Sequence, residues 1–133
     1  MAEAKRPERV NDFTDLETWQ VGRRLRKEVY DITRGFPAEE KYGLSSQMRR
    51  AAFSVTSNIA EGFGRFSYQE NIQYLRQSRA SAYELRDHLT TALDAGCLSK
   101  EKFEELNELA KSVVRLLNGY IRSTKERREA AAR

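Results

Sequence analysis

The chain has 133 residues, with 24 Lys+Arg, 20 Asp+Glu, one His, one Cys and a formal net charge of +4. That length fits one domain, and only 2 Pro and 7 Gly exclude an all-β chain of many tight turns. One Cys and one His exclude a disulfide framework and a structural zinc site; with no apolar run of ~20 residues and no apolar leader, the expectation is a soluble cytoplasmic domain without a cofactor.

Residues 1–13 are polar, contain Pro7 and read as a flexible tail. A capping box, Thr14 with Glu17, is expected to open the first helix. Thr18, Val21, Gly22, Leu25, Val29 and Ile32 then recur on one helical stripe. Gly35 followed by Phe36-Pro37 closes it, because glycine suits the left-handed residue after a helix and proline cannot continue one. The second helix carries Leu44, Met48, Ala51, Ala52, Val55 and Ile59, and Gly62 and Gly64 permit a sharp turn at its end. Ser67 with Glu70 opens the third, whose stripe is Leu75, Ser78, Ala82, Leu85, Leu89 and Leu93, ending at Gly96. Ser99 caps the fourth, which turns Phe103, Leu106, Ala110, Val113, Leu117, Tyr120 and Ile121 inward. Residues 125–133 read as a basic, fraying end. Residues 14–124 therefore predict an all-α fold, an up-and-down antiparallel four-helix bundle.

Charge is unevenly distributed along these helices. Residues 1–20 sum to −2, 21–86 to +5, 87–108 to −4 and 109–133 to +5. Ten of the 12 basic groups in the second block are Arg, the residue suited to forked phosphate contacts and to stacking. Ordinary solvated helix faces would also be rich in charge.

Two helices carry a second stripe that a helical wheel places opposite the core. On the first it is Trp19, Arg23, Arg26 and Tyr30, flanked by Leu16 and Lys27. On the third it is Tyr68, Ile72, Arg79, Tyr83 and Arg86, with Arg76 beside them. Trp, Tyr and Arg are enriched at subunit interfaces, and the same residues bind nucleic acid by phosphate contact and base stacking. The first and third helices of an up-and-down bundle are diagonal, so the two faces point to opposite sides, as a head-to-tail ring requires. Between the second and third helices, Arg50, Ser54, Ser57 and Glu61 form a polar stripe. Asn58 beside it needs hydrogen-bond partners if buried, and Arg65 is expected to pair with Glu61 at the helix end.

Asp15-Leu16, Trp19-Gln20, Val29-Tyr30, Phe36-Pro37, Glu40, Tyr42-Gly43-Leu44, Gln47, Arg49-Arg50-Ala51-Ala52, the run Ser57-Asn58-Ile59-Ala60-Glu61-Gly62 and Arg65 can now be taken together. Over roughly residues 12–121 they resemble a bacterial four-helix-bundle family that includes proteins encoded in intervening sequences of 23S ribosomal RNA genes. The family also includes the accessory variability proteins of diversity-generating retroelements. The resemblance implies a homopentameric ring with a basic surface that binds RNA or DNA, or a reverse transcriptase, without catalysis. Thr18 and Gly22 depart from its usual residues, and Gly22 should cost ~1 kcal/mol of helix propensity.

The expected nucleic-acid contacts are Arg23, Arg26, Lys27, Arg49, Arg50, Arg65, Arg76 and Arg79, with Lys125, Arg127 and Arg128 of the basic end. The expected subunit seam uses Trp19, Tyr30, Tyr68, Ile72, Tyr83 and Arg86, while Asn58, Glu61 and Gly62 form the signature. An enzyme is the rival of another class: Asp87 and His88 are neighbours in sequence and so diverge on a helix, Cys97 reads as a small hydrophobe, and no catalytic or metal site is expected. A protein-only scaffold is the second rival, and salt dependence separates it from a nucleic-acid binder.

Overall fold

A computed structural model of the protein describes residues 10–133. Residues 1–9, most of the expected tail, lie outside the described residues. The chain forms α1 (Glu17–Arg34), α2 (Leu44–Phe63), α3 (Tyr68–Asp94) and α4 (Lys100–Ala132), with short 3-10 turns at Phe13–Asp15 and Ala38–Glu40. Each helix packs on the next, and α4 closes the circle on α1. No close approach joins α1 to α3 or α2 to α4 among the described residues. This is the up-and-down four-helix bundle that short connections and four apolar stripes dictate. No helix among the described residues is long and apolar enough to cross a membrane.

The core takes Leu25 and Val29 from α1, Met48, Val55 and Ile59 from α2, Leu75, Leu85 and Leu89 from α3, and Leu106, Val113 and Leu117 from α4, all fully buried. Each large apolar side chain moved out of water contributes about 1.5–3 kcal/mol before entropy is counted. Ser67 accepts a hydrogen bond from the Glu70 N–H, and Ser99 accepts one from the Lys102 N–H, so both helix starts are capped as expected. Gly96, at φ +77, follows α3 in the left-handed conformation that glycine adopts without strain.

Several expectations are corrected. The Asp15 carboxylate accepts the N–H groups of Asn11 and Asp12, which closes a 3-10 turn before α1. Thr14 instead donates its hydroxyl to Asp12, Leu16 is extended, and the helix begins at Glu17. The tail thus ends earlier than residue 13, since Val10 and Phe13 pack against the core. Gly35 has φ −90 and Gly64 φ −77, so neither turn uses a left-handed glycine. Gly62 lies inside α2 and serves a close approach: a Cβ there would sit 2.9 Å from Tyr74 Cβ and 3.3 Å from the Asn71 carbonyl oxygen. Residues 125–132 do not fray but continue α4. They contain neither Gly nor Pro and end in three alanines, the strongest helix formers.

Candidate nucleic-acid interface

The stripe on α1 is not directed straight out from the core. It leans over the seam with α2, because each helix of a four-helix bundle buries strips against two neighbours and flanking residues reach across them. Arg26 donates to the Thr56 hydroxyl (2.8 Å). Arg49 of α2 lies 5.0 Å from the Tyr30 ring centre, and its Nε donates to Thr33 Oγ1 (2.7 Å). Arg23 lies 5.7 Å from the half-buried Trp19 ring, which meets Phe13 edge-on at 5.2 Å. Trp19 is therefore covered in part from within the chain, and Leu16 beside it is buried. Lys27 and Arg50 are exposed, Arg50 donating to Gln47.

Phe53, which the wheel reading missed, projects from this edge at 56% exposure. It lines a groove of about 360 Å³ with Arg26, Lys27, Tyr30, Asp31 and Arg34. Its signal was its place three residues after Arg50, on the same helical face. Asp31, the acid of that groove, is paired with Arg34. The α1/α2 edge thus gathers Arg23, Arg26, Lys27, Arg49 and Arg50, and adds Arg34 and Phe53.

On the opposite side, the α3 stripe leans over the seam with α4. Arg79 donates to Asn118 (2.8 Å) and Arg86 to Asn107 (3.0 Å), with Arg86 also 5.4 Å from the Tyr83 ring centre. Tyr83 and Tyr68 remain 52% and 38% exposed. Ile72 does not belong to this surface: it is 2% exposed and part of the core. Lying three residues before Leu75, it falls on the same helical face, a spacing that could have placed it correctly. Arg76 is exposed without a partner among the described residues. Arg128 donates to Gln69 and Arg127 to Thr124, while Lys125 is half-buried. Most of these cations are thus tied into the α3/α4 pair.

The signature residues close the α2–α3 connection. Asn58 donates to the Ser54 carbonyl and hydroxyl, both at 2.9 Å, and the Ser54 and Ser81 hydroxyls hydrogen-bond across the two helices. Arg65 binds Glu61 (3.0 Å) and the Tyr74 hydroxyl (2.8 Å) and stacks on that ring at 4.9 Å. Tyr74 first, and Glu61 after it, raise the basicity of the Arg65 guanidinium further. Arg65 therefore stays charged and held within the chain. Asn71 donates to the Gly62 carbonyl oxygen (2.7 Å), while Asn71 Oδ1 and Arg127 Nε are buried without a partner among the described residues. Elsewhere, His88 faces Glu84 at 3.3 Å. No group of His, Cys, Asp and Glu suited to a metal ion occurs among the described residues.

Fold and surface define an antiparallel four-helix bundle with two arginine–aromatic edges on opposite sides, the α1/α2 edge carrying the groove beside Phe53. The chain belongs to the 23S rRNA-intervening sequence protein family, whose model matches residues 14–119. Among solved structures it is similar to a protein of unknown function from the S23 ribosomal protein family of Bacteroides thetaiotaomicron. The two share 19% identity at a TM-score of 0.71, over 78% of this chain and 97% of that one. At that identity the likeness speaks for the fold alone. No curated protein matches the chain.

Proposed function

We propose that this chain is a non-catalytic nucleic-acid-binding accessory protein of the 23S rRNA intervening-sequence type, acting as a ring of bundles. The observation that carries the reading is the α1/α2 groove, where Phe53 and Tyr30 lie among Arg26, Lys27 and Arg34. Cations along such a groove would neutralise phosphates whatever the sequence. The exposed Phe53 ring beside them offers stacking to unpaired bases. The opposite edge supports a subunit seam: its arginines are tied to Asn107 and Asn118, and Tyr68 and Tyr83 are left half-exposed for a partner. A homopentamer is the ring that the family resemblance suggests.

Filter binding of structured RNA and of duplex DNA over a salt gradient tests the first part. The expected result is retention that falls with salt, with a log–log slope of about −3 to −5 for four or five phosphate contacts. Salt-insensitive retention, or none, moves the reading to a protein-only scaffold. Sedimentation at micromolar concentration tests the second part; a monomer there ends the ring.

A further inference from the structure

The connection from α1 to α2 borders an open hollow of about 580 Å³ lined by Arg34, Lys41, Arg49, Tyr42, Ser45 and Ser46. No acidic side chain is among the described residues that line it. Its floor includes the first turn of α2, a 20-residue helix whose aligned peptides leave positive character at this end. Glu40 takes the Leu44 N–H at 3.3 Å. The N–H groups of Ser45 and Ser46 have no backbone acceptor, as the start of any helix leaves them.

A helix start alone is not a site, and a second observation makes this one. Ser45 is only 6% exposed, its side chain has no hydrogen-bond partner among the described residues, and it lines the hollow. The rest of the residue is packed away and the hydroxyl is open to the hollow, where a ligand oxygen would bind it. Arg49 is held in place from behind: its Nε is fixed on Thr33 and its plane lies over Tyr30, while both Nη nitrogens lack an acceptor among the described residues. At the rim Tyr42 is 87% exposed with Lys41 over its ring at 5.5 Å, a free aromatic face beside a cation.

We infer that this hollow binds the phosphate of a nucleotide unit. The phosphate oxygens meet the Ser45 hydroxyl, the first-turn N–H groups of α2 and the Arg49 fork. Lys41 and Arg34 supply charge, and the attached base stacks on Tyr42. A volume of about 580 Å³ is of the size that holds a small ligand of this kind. The same phosphate could belong to a free nucleotide or to the end of a strand. Only the strand form rests on the nucleic-acid reading above.

The test is an amide-detected NMR titration with inorganic phosphate, with AMP, and with two 12-nucleotide single-stranded RNAs that differ only in a 5′-phosphate or 5′-hydroxyl. Phosphate and AMP are expected to move the Ser45 and Ser46 amide signals saturably. Ser46→Asp should weaken that binding about tenfold, because it places a carboxylate where the anion sits. The same charge favours the helix start, so the melting temperature should not fall and loss of fold cannot mimic the result. Ser45→Ala should weaken binding as well. Unmoved Ser45 and Ser46 amides at millimolar phosphate and AMP, or a Ser46→Asp variant that binds as tightly as the parent, would overturn the site.

A preference for the 5′-phosphorylated RNA assigns the site to a strand end. Saturable AMP binding without that preference assigns it to a free nucleotide. If Ser46→Asp loses the phosphate shifts but keeps salt-sensitive RNA retention, the groove reading stands apart from this site. If the phosphate shifts persist while RNA retention is absent, the site stands and the groove reading fails.

Discussion

The two connections that flank α2 contain the same kinds of side chain and put them to different use. At the α2–α3 connection, Arg65 meets Glu61, the Tyr74 hydroxyl and the Tyr74 ring, and Gly62 lets α3 lie directly against α2. At the α1–α2 connection, Arg49 is also stacked on a tyrosine, yet its outer nitrogens, the Ser45 hydroxyl and the Tyr42 ring face an open hollow. An arginine beside an aromatic ring is therefore no sign of a ligand by itself. The informative quantity is the bonding capacity left over once the chain's own partners have been counted. By that measure the α2–α3 connection is satisfied within the chain, and the α1–α2 connection is the one left with bonding capacity to spare.

The largest effect that would break this contrast is expected at Gly62. Gly62→Ala places a methyl 2.9 Å from Tyr74 Cβ and 3.3 Å from the Asn71 carbonyl oxygen, and neither side can yield without moving α3. Overpacking of this kind costs about 1–3 kcal/mol, which corresponds to a fall in Tm of roughly 4–10 °C in a domain of this size. Thermal unfolding followed by circular dichroism measures it. An unchanged Tm would show that the α2–α3 connection is as loose as the α1–α2 one.

The next effect is on binding. Lys27→Glu together with Arg50→Glu removes two cations that have no acid partner among the described residues. Stability should stay within about 0.5 kcal/mol, as for exposed positions generally. Retention of RNA or DNA should fall at least about tenfold, and the salt slope should lose about 2 units. Reversing charge at Arg79 and Arg76 on the far edge should change retention much less. Equal losses from both edges would show that the α1/α2 face is not distinguished.

Arg49 links the two kinds of role. Arg49→Lys keeps the charge but cannot both stack on Tyr30 and hold Thr33 with a planar fork. About 1 kcal/mol of stability should be lost in denaturant unfolding, since Thr33 still bonds the Val29 carbonyl and only one hydrogen bond and one stacking contact go. A loss above about 3 kcal/mol would mean that more of the α1/α2 seam depends on Arg49 than one hydrogen bond and one stacking contact.

The order of the helices could be read from the sequence because apolar spacing is a property of each helix alone. Leu25 and Val29, Met48 and Val55, and Leu85 and Leu89 sit where their spacing places them. The pairing of Arg65 with Glu61 was also accessible, since both lie within one turn of the same helix end. The partners of Arg26, Arg79 and Arg86 were not, because Thr56, Asn118 and Asn107 meet them only through the register between helices. That register depends on packing. It is also why surplus arginines on a wheel became hydrogen-bonded ones in the bundle. Ile72 was misplaced because a wheel divided into two faces leaves no room for a residue serving the edge of a broad core stripe. The hollow at the α1–α2 connection had a faint trace in Tyr42 and Lys41, two residues in a turn whose length gives no hint of a concave surface.

The smallest expected effect concerns the other glycine at a helix crossing. Gly22 also lies where two helices approach, and a Cβ there would stand 3.3 Å from Thr56 Cγ2 and 3.5 Å from Val55 Cγ1. The atoms opposing it are side-chain methyls rather than the backbone oxygen that Gly62 meets. Thr56 can shift a few tenths of an ångström, although its hydroxyl is held by Arg26 at 2.8 Å. Against that squeeze, alanine in a helix interior gains about 1 kcal/mol over glycine. The two contributions nearly cancel, so Gly22→Ala should alter stability by less than about 1 kcal/mol in either direction. If Tm instead drops as far as in Gly62→Ala, the Arg26–Thr56 bond is as rigid a constraint as backbone, and the α1/α2 edge is a fixed frame rather than an adaptable one. That result would also predict little rearrangement of the groove around Phe53 when a strand binds, which the Thr56 and Phe53 amide signals in the RNA titration would report.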